Sequence, residues 1–181
     1  YLPKKILKNK DLEKLVDTSD EWISTRTGIK ERRILDDGLG TSFMAIKAAL
    51  KILKKKNIDP LKIDMVIVAT ITPDIHISAT AANVATEIGA NNAFAYDLNA
   101  ACSGFLYGMS IASSYIESGR YKKIILIGAD KMSSIVDYSD RNTCVIFGDG
   151  AGAALFEPNN YGFGIQDEFL RSNGIGKEFL G

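Results

Sequence analysis

The residue with the most chemistry to offer is Cys102, in Asp97-Leu-Asn-Ala-Ala-Cys-Ser-Gly-Phe105. An apolar stretch precedes it and a run of small residues follows. If 93–98 is a buried strand and 103–117 a helix, the thiol falls at the strand-to-helix turn. There it faces the positive end of the helix dipole, which favours thiolate. The unpaired amides of a first helical turn can also donate to a developing oxyanion. A nucleophile and part of an oxyanion hole then come from one turn, which is the equipment for acyl transfer through a thioester. The competing reading is a structural cysteine, because free Cys is among the most buried residue types. Ala100 and Ala101 favour access, since they leave room for a substrate. Cys144 lies in the apolar stretch Thr-Cys-Val-Ile-Phe and reads as core.

Other candidate chemistry is weaker. Two cysteines without a C-x-x-C pair and a single histidine, His76, do not make a Cys/His zinc site. His76 reads as a loop or interface residue. Gly148-Asp-Gly-Ala-Gly152 resembles a dinucleotide loop, but Ala153 stands where G-x-G-x-x-G needs glycine, and an apolar strand-like stretch follows. A tight turn is the better reading. Gly174-Ile-Gly-Lys177 lacks the Walker spacing. Trp22, Arg26, Arg32 and Arg141, taken one by one, read as a core cap and solvated charges.

Composition bounds the possibilities. The 181 residues are 46% apolar and 24% charged, with 22 basic and 22 acidic side chains. That is enough chain for a sizeable core, and the balanced charge gives no general pull toward nucleic acid or an anionic membrane. No apolar run approaches the ~20 residues of a membrane span. The start at Tyr1-Leu2-Pro3 without Met and the end at Gly181 are expected of an incomplete chain.

The elements that must position Cys102 follow from periodicity. A short helix is expected over 11–16. A second is capped by Ser19 and closed by Gly28. A strand is expected over 29–35. A long helix over 41–56 carries Phe43, Ile46, Leu50 and Leu53 on one stripe, with Ala49 beside them, and three lysines in its last turn. Buried strands are expected over 65–71, 93–98 and 123–128, with helices over 78–88 and 103–117. Short strands over 145–147 and 151–156 flank the glycine turn. Alternating strands and helices argue for an α/β layered fold with a largely parallel sheet. The small residues of 103–117 suit a helix covered on all sides, between two sheets.

Three blocks then resemble a known family, β-ketoacyl-acyl carrier protein synthase III of the thiolase-like superfamily. They are 17–29 with Arg32, Ala100-Ala-Cys102-Ser-Gly-Phe105, and Asp140-Arg-Asn-Thr143 leading to 147–153. The resemblance implies a thiolase-like α/β/α/β/α fold, with residues 1–181 forming the N-terminal half-domain region and the C-terminal half absent. It implies an acyltransferase that condenses a short acyl-CoA with malonyl-acyl carrier protein, starting fatty acid synthesis through an acyl-cysteine on Cys102. Trp22 matches the tryptophan that stacks on the CoA adenine, and Arg141 the arginine on its other face. Arg26 matches an arginine near the CoA phosphates, and Thr18 a threonine contacting the adenine. Phe147 matches a pocket aromatic beside the nucleophile. Ile77 matches the apolar residue that reaches the partner subunit's acyl pocket. The resemblance further implies no cofactor, with acyl-CoA as a substrate, a homodimer when complete, and a cytoplasmic or plastid location. It places the catalytic histidine and asparagine beyond Gly181. Related polyketide-starter or hydroxymethylglutaryl-CoA-type synthases share the pattern. A non-catalytic acyl-CoA-binding or dimerisation module stays open if 181 residues is the true length.

Overall fold

The computed structural model describes residues 1–179. Its centre is a four-stranded sheet in the order β4-β3-β5-β6, from β3 (Met65–Ala69), β4 (Phe94–Leu98), β5 (Ile124–Lys131) and β6 (Asp149–Phe156). β3 runs parallel to β4 and β5, while β6 returns antiparallel to β5. A separate hairpin pairs β1 (Lys5–Lys8) with β2 (Glu31–Ile34). The β1 strand has too little apolar alternation to be foreseen.

Side-chain alternation splits the sheet residues between two cores. Val66, Val68, Ile125, Ile127 and Ala129 face the helices α3 (Thr41–Lys56) and α4 (Thr80–Glu87). Met65, Ile67, Ile124 and Leu126 face α5 (Gly104–Glu117). Each fully buried Ile or Val contributes about 1.5–3 kcal/mol, which is why the continuous apolar runs become central strands rather than surface ones.

Several expectations are corrected. α3 has the expected bounds, but it buries Met44, Ala45, Ala48, Ala49 and Leu53. Leu50 is 40% exposed. The alanine side is the flatter one, and it lets the helix approach the sheet. β4 is an edge strand, half-exposed along its length. Residues 145–147 form no strand. Residues 145 and 146 lie in a turn that Arg32 and the small core around Leu12 and Ile23 hold in place, and Phe147 follows it. Gly150 and Gly152 lie inside β6, so the glycine-rich segment is strand and not a tight turn. The 11–16 helix is instead α1 (Asn9–Leu12), followed by turn.

α2 (Asp20–Thr27) matches expectation at both ends. The Ser19 hydroxyl accepts the Trp22 amide at 3.0 Å, and Gly28 closes the helix at φ 72°. That conformation favours glycine, which has no Cβ to clash.

Candidate active site

Cys102 sits in a single turn of 3-10 helix, Ala101–Ser103, between β4 and α5. Its side chain is exposed, whereas Cys144 is fully buried. Burial, and then the nearby Asp140 charge, push the Cys144 thiol up. That is the environment of an inert core cysteine. Ser103 N–H donates to Ala100 O at 3.1 Å and Gly104 N–H donates to Ala101 O. Those two amides of the turn are spent on the chain itself, leaving the amide of Cys102 as the candidate oxyanion donor.

α5 reaches this position by close packing on the sheet. A Cβ at Gly104 would stand 3.2 Å from Ala69 Cβ, and one at Gly108 would stand 2.4 Å from Leu126 Cδ1. The two glycines, one turn apart, let the helix sit down on β3 and β5. Gly128 completes the seat, because Phe105 lies 3.1 Å from where its Cβ would be. The backbone bends sharply just before Cys102, where Ala101 has φ 46°. Alanine pays steric strain in that region.

The thiol opens into a cavity of about 360 Å³ at the carboxyl ends of β3 and β5. That end of an open α/β sheet is where such folds bind ligands. Ala69, Ile71, Phe105, Met132 and Phe147 supply its apolar lining, and Asp130 is polar. Asp130 Oδ1 accepts from Thr70 Oγ1, Ile71 N–H, Thr72 N–H and Thr72 Oγ1, at 2.9–3.2 Å. It pins the loop that leaves β3 and shapes the cavity mouth. Asp130 was not foreseen. Its only signal is a carboxylate at the end of an otherwise apolar strand.

A second cluster lies on α2. The guanidinium carbons of Arg26 and Arg141 each stand 4.5 Å from the Trp22 ring centroid. Asp17 approaches Arg141 at 3.6 Å. A purine between Trp22 and Arg141 needs two stacking gaps, about 7 Å in all. The Arg141–Trp22 stack is therefore closed and must open by about 2.5 Å to admit one. Thr18 Oγ1 is buried without a hydrogen-bond partner among the described residues. An unsatisfied buried hydroxyl needs an explanation, and a ligand that bonds to it is one.

The two clusters share one stretch of chain. From Arg141 on Trp22 it dives through buried Cys144 and Val145 and surfaces at Phe147 in the Cys102 cavity. Six residues reach at most about 20 Å. Arg32 anchors this stretch and is not a surface charge. It is 3% exposed, donates Nε to Val145 O at 2.9 Å and NH1 to Asn9 Oδ1 at 2.5 Å, and also bonds Val145 O through NH2. Burial lowers its pKa.

The structure therefore brings Cys102 and Phe147 together, and Trp22, Arg26 and Arg141 together. Ile77 joins neither group and is 99% exposed, next to exposed His76.

The profile of the 3-Oxoacyl-[acyl-carrier-protein (ACP)] synthase III family matches residues 96–174. A β-ketoacyl-[acyl-carrier-protein] synthase III of Bacteroides thetaiotaomicron is 56% identical over 181 residues, covering 99% of this chain and 54% of the relative. The chain thus spans about half the length of the curated relatives it matches. The crystal structure of a 3-oxoacyl-[acyl-carrier-protein] synthase III from Aquifex aeolicus superposes with a TM-score of 0.85 at 50% identity, over 88% of this chain and 51% of that one. The corresponding Thermus thermophilus structure gives a TM-score of 0.93 at 43% identity, over 98% of this chain and 55% of that one.

Proposed function

Because the chain belongs to the β-ketoacyl-[acyl-carrier-protein] synthase III family, we propose that it is the N-terminal, nucleophile-bearing region of an acyltransferase that starts fatty acid chains. The observation that carries this reading is the exposed Cys102 thiol at the β4–α5 turn, open to a cavity that Phe147 also lines.

In the proposed reaction Cys102 gives up its proton and Sγ attacks the carbonyl carbon of an acyl-CoA thioester. The amide of Cys102 donates to the oxyanion. The carbonyl–sulfur bond to CoA then breaks, and CoA leaves as the thiol with a proton. In the second half, malonyl-acyl carrier protein loses CO₂. The electron pair left behind forms a carbon–carbon bond to the acyl carbonyl, and Cys102 departs as the sulfur leaving group. The product is a β-ketoacyl-acyl carrier protein, and the two thioester steps give ping-pong kinetics.

Trp22 and Arg141 hold the CoA adenine in this reading, with Thr18 Oγ1 as a hydrogen-bond partner and Arg26 toward the phosphates. Closed stacking of both arginines on Trp22 supports it, since the same faces are available to a base. Ile77 faces a partner subunit in a homodimer. No resident cofactor enters the chemistry, and the cytoplasm, or a plastid, is the proposed location. Among the described residues no helix is long and apolar enough to cross a membrane.

Incubation of the full-length protein with isotope-labelled acetyl-CoA, followed by peptide mass spectrometry, tests the reading. The label is expected on Cys102. Label on Cys144, or on neither cysteine, overturns it. A donor panel then separates fatty acid priming from related condensations, with acetyl-CoA and malonyl-acyl carrier protein expected as the preferred pair.

A further inference from the structure

Four glycines line the Cys102 cavity: Gly128, Gly148, Gly150 and Gly152. Three of them have a neighbour that a side chain would meet. A Cβ at Gly128 would stand 3.1 Å from Phe105, and one at Gly148 would stand 3.1 Å from both Arg32 Cβ and Arg33 O. One at Gly150 would stand 3.3 Å from the end of the Leu2 side chain. Gly152 is different. Among the described residues nothing lies within 4 Å of its ideal Cβ, and its φ is not positive. Any residue fits its backbone. Glycine inside a strand costs roughly 0.5–1 kcal/mol against alanine, so the missing side chain is a sacrifice that local structure does not demand. Glycine in a strand interior often marks the close approach of a ligand or another backbone.

The register says what the missing side chain leaves open. Leu98, Ala69, Gly128 and Gly152 are successive partners across β4, β3, β5 and β6. Odd-numbered residues of β6 pack toward α3, and Phe156 packs in the core under α5. Gly152 is therefore on the α5 face. The row shrinks along the sheet from Leu to Ala to Gly to Gly. Phe105 covers Gly128, which leaves Gly152 as the uncovered end of the row, in the wall of the cavity that holds Cys102.

We infer that Gly152 sets the upper size of the acyl group that Cys102 accepts, and that its open wall admits acyl chains longer than acetyl. The inference rests on the acyltransferase reading. In it, the acyl carbon bound to Cys102 Sγ carries its alkyl tail past Phe105 toward Gly152. A side chain at 152 would stand in that path.

The test compares full-length wild type with Gly152→Ala and Gly152→Val, using acetyl-, butyryl- and hexanoyl-CoA as donors. The rate of mass gain at Cys102 is read by peptide mass spectrometry. Wild type is expected to take butyryl from its CoA ester. The butyryl-to-acetyl rate ratio is expected to fall about tenfold or more in Gly152→Val, a step of the size a methylene makes in an apolar pocket, with Gly152→Ala between. A ratio unchanged in both variants overturns the inference, and so does a wild type that accepts acetyl alone. Equal loss of all three donors shows that another backbone packs on Gly152, which also overturns it. Where Gly152→Val does not fold, Gly152→Ala and Gly152→Ser make the same comparison. Failure of any donor to acylate wild-type Cys102 removes the acyltransferase reading itself. Acylation with unchanged ratios removes only the role of Gly152.

Discussion

At the scale of single residues, the backbone before Cys102 is strained. Ala101 has φ 46°, and a β-branched side chain there is far worse off than alanine. Ala101→Val is expected to lose about 2 kcal/mol of stability and to slow acylation of Cys102, because the turn must rotate to relieve the clash. Ala101→Gly should keep both. Urea unfolding and acylation rates check this, and an Ala101→Val protein that acylates at the wild-type rate would argue against a positioned turn. The proposed adenine clamp gives a second expectation. Trp22 is the only tryptophan, so opening of the Arg141–Trp22 stack by CoA should change its fluorescence. Arg141→Ala should raise KM for acyl-CoA severalfold, the loss of one cation–π contact of about 1 kcal/mol, with kcat little changed. A fall in kcat at constant KM would place Arg141 in the chemistry instead. Cys102 was legible because its neighbours in sequence are its neighbours in the turn. Arg32 was not, because the carbonyl that fixes its role belongs to Val145, 113 residues away.

At the scale of elements, the seat of α5 on the sheet decides where Cys102 points. Gly108→Ala gains about 1 kcal/mol of helix propensity. It also drives a methyl to 2.4 Å from buried Leu126 Cδ1, and overpacking of that kind costs about 1–3 kcal/mol. Net destabilisation is expected. Leu126→Val, which removes the opposing methyl reach, should recover part of it in the double variant. A double-mutant cycle on unfolding free energies measures the coupling. Additive effects would mean that the helix shifts rather than clashes. The turn 137–143 that carries Arg141 responds to pH. Hydrogen bonds from Ser139 lower the Asp137 pKa, and bonds from Thr143 and Asn142 lower that of Asp140. A depressed carboxylate stabilises the fold above its unfolded value of about 3.9, and that contribution is lost as pH falls through the lower folded value. Trp22 fluorescence should therefore hold steady from neutral pH to about 4 and change only below. A change centred near 6 would rule these carboxylates out. Helix 41–56 was readable from its period and its lysine-rich last turn, and 103–117 from its run of small residues, because those signals are local. The stripe that α3 buries was only partly assigned: Leu53 and Ala49 are buried and Ile46 packs on the core, but Leu50 is exposed. Leucines draw the eye, while the sheet selects the face that lets the helix come nearest.

At the scale of the whole chain, the alternation of strands and helices foretold a layered sheet, and the small residues of α5 raised the expectation of a helix covered on every side. The sheet accounts for half of those small residues. Gly104, Gly108 and Ala112 are buried against it, but Leu106 is 56% exposed on the other side and Ser114 is exposed as well. Among the described residues, Phe169 at 77%, Ile175 at 86% and Ile77 at 99% are also open to solvent. The proposal of a larger fold supplies a cover for these side chains. The relatives are nearly twice as long, which supports the proposal that residues 1–181 form one region of a larger thiolase-like fold. The chain produced as 1–181 alone should accordingly bind an apolar dye strongly and form assemblies larger than a dimer at micromolar concentration, while full-length protein stays dye-silent and dimeric. Leu106→Ser and Phe169→Ser should each reduce dye binding by the short form without unfolding its sheet, which circular dichroism monitors. A 1–181 chain that runs as a dye-silent monomer would show that these faces need no cover, and the larger fold would lose its physical motive.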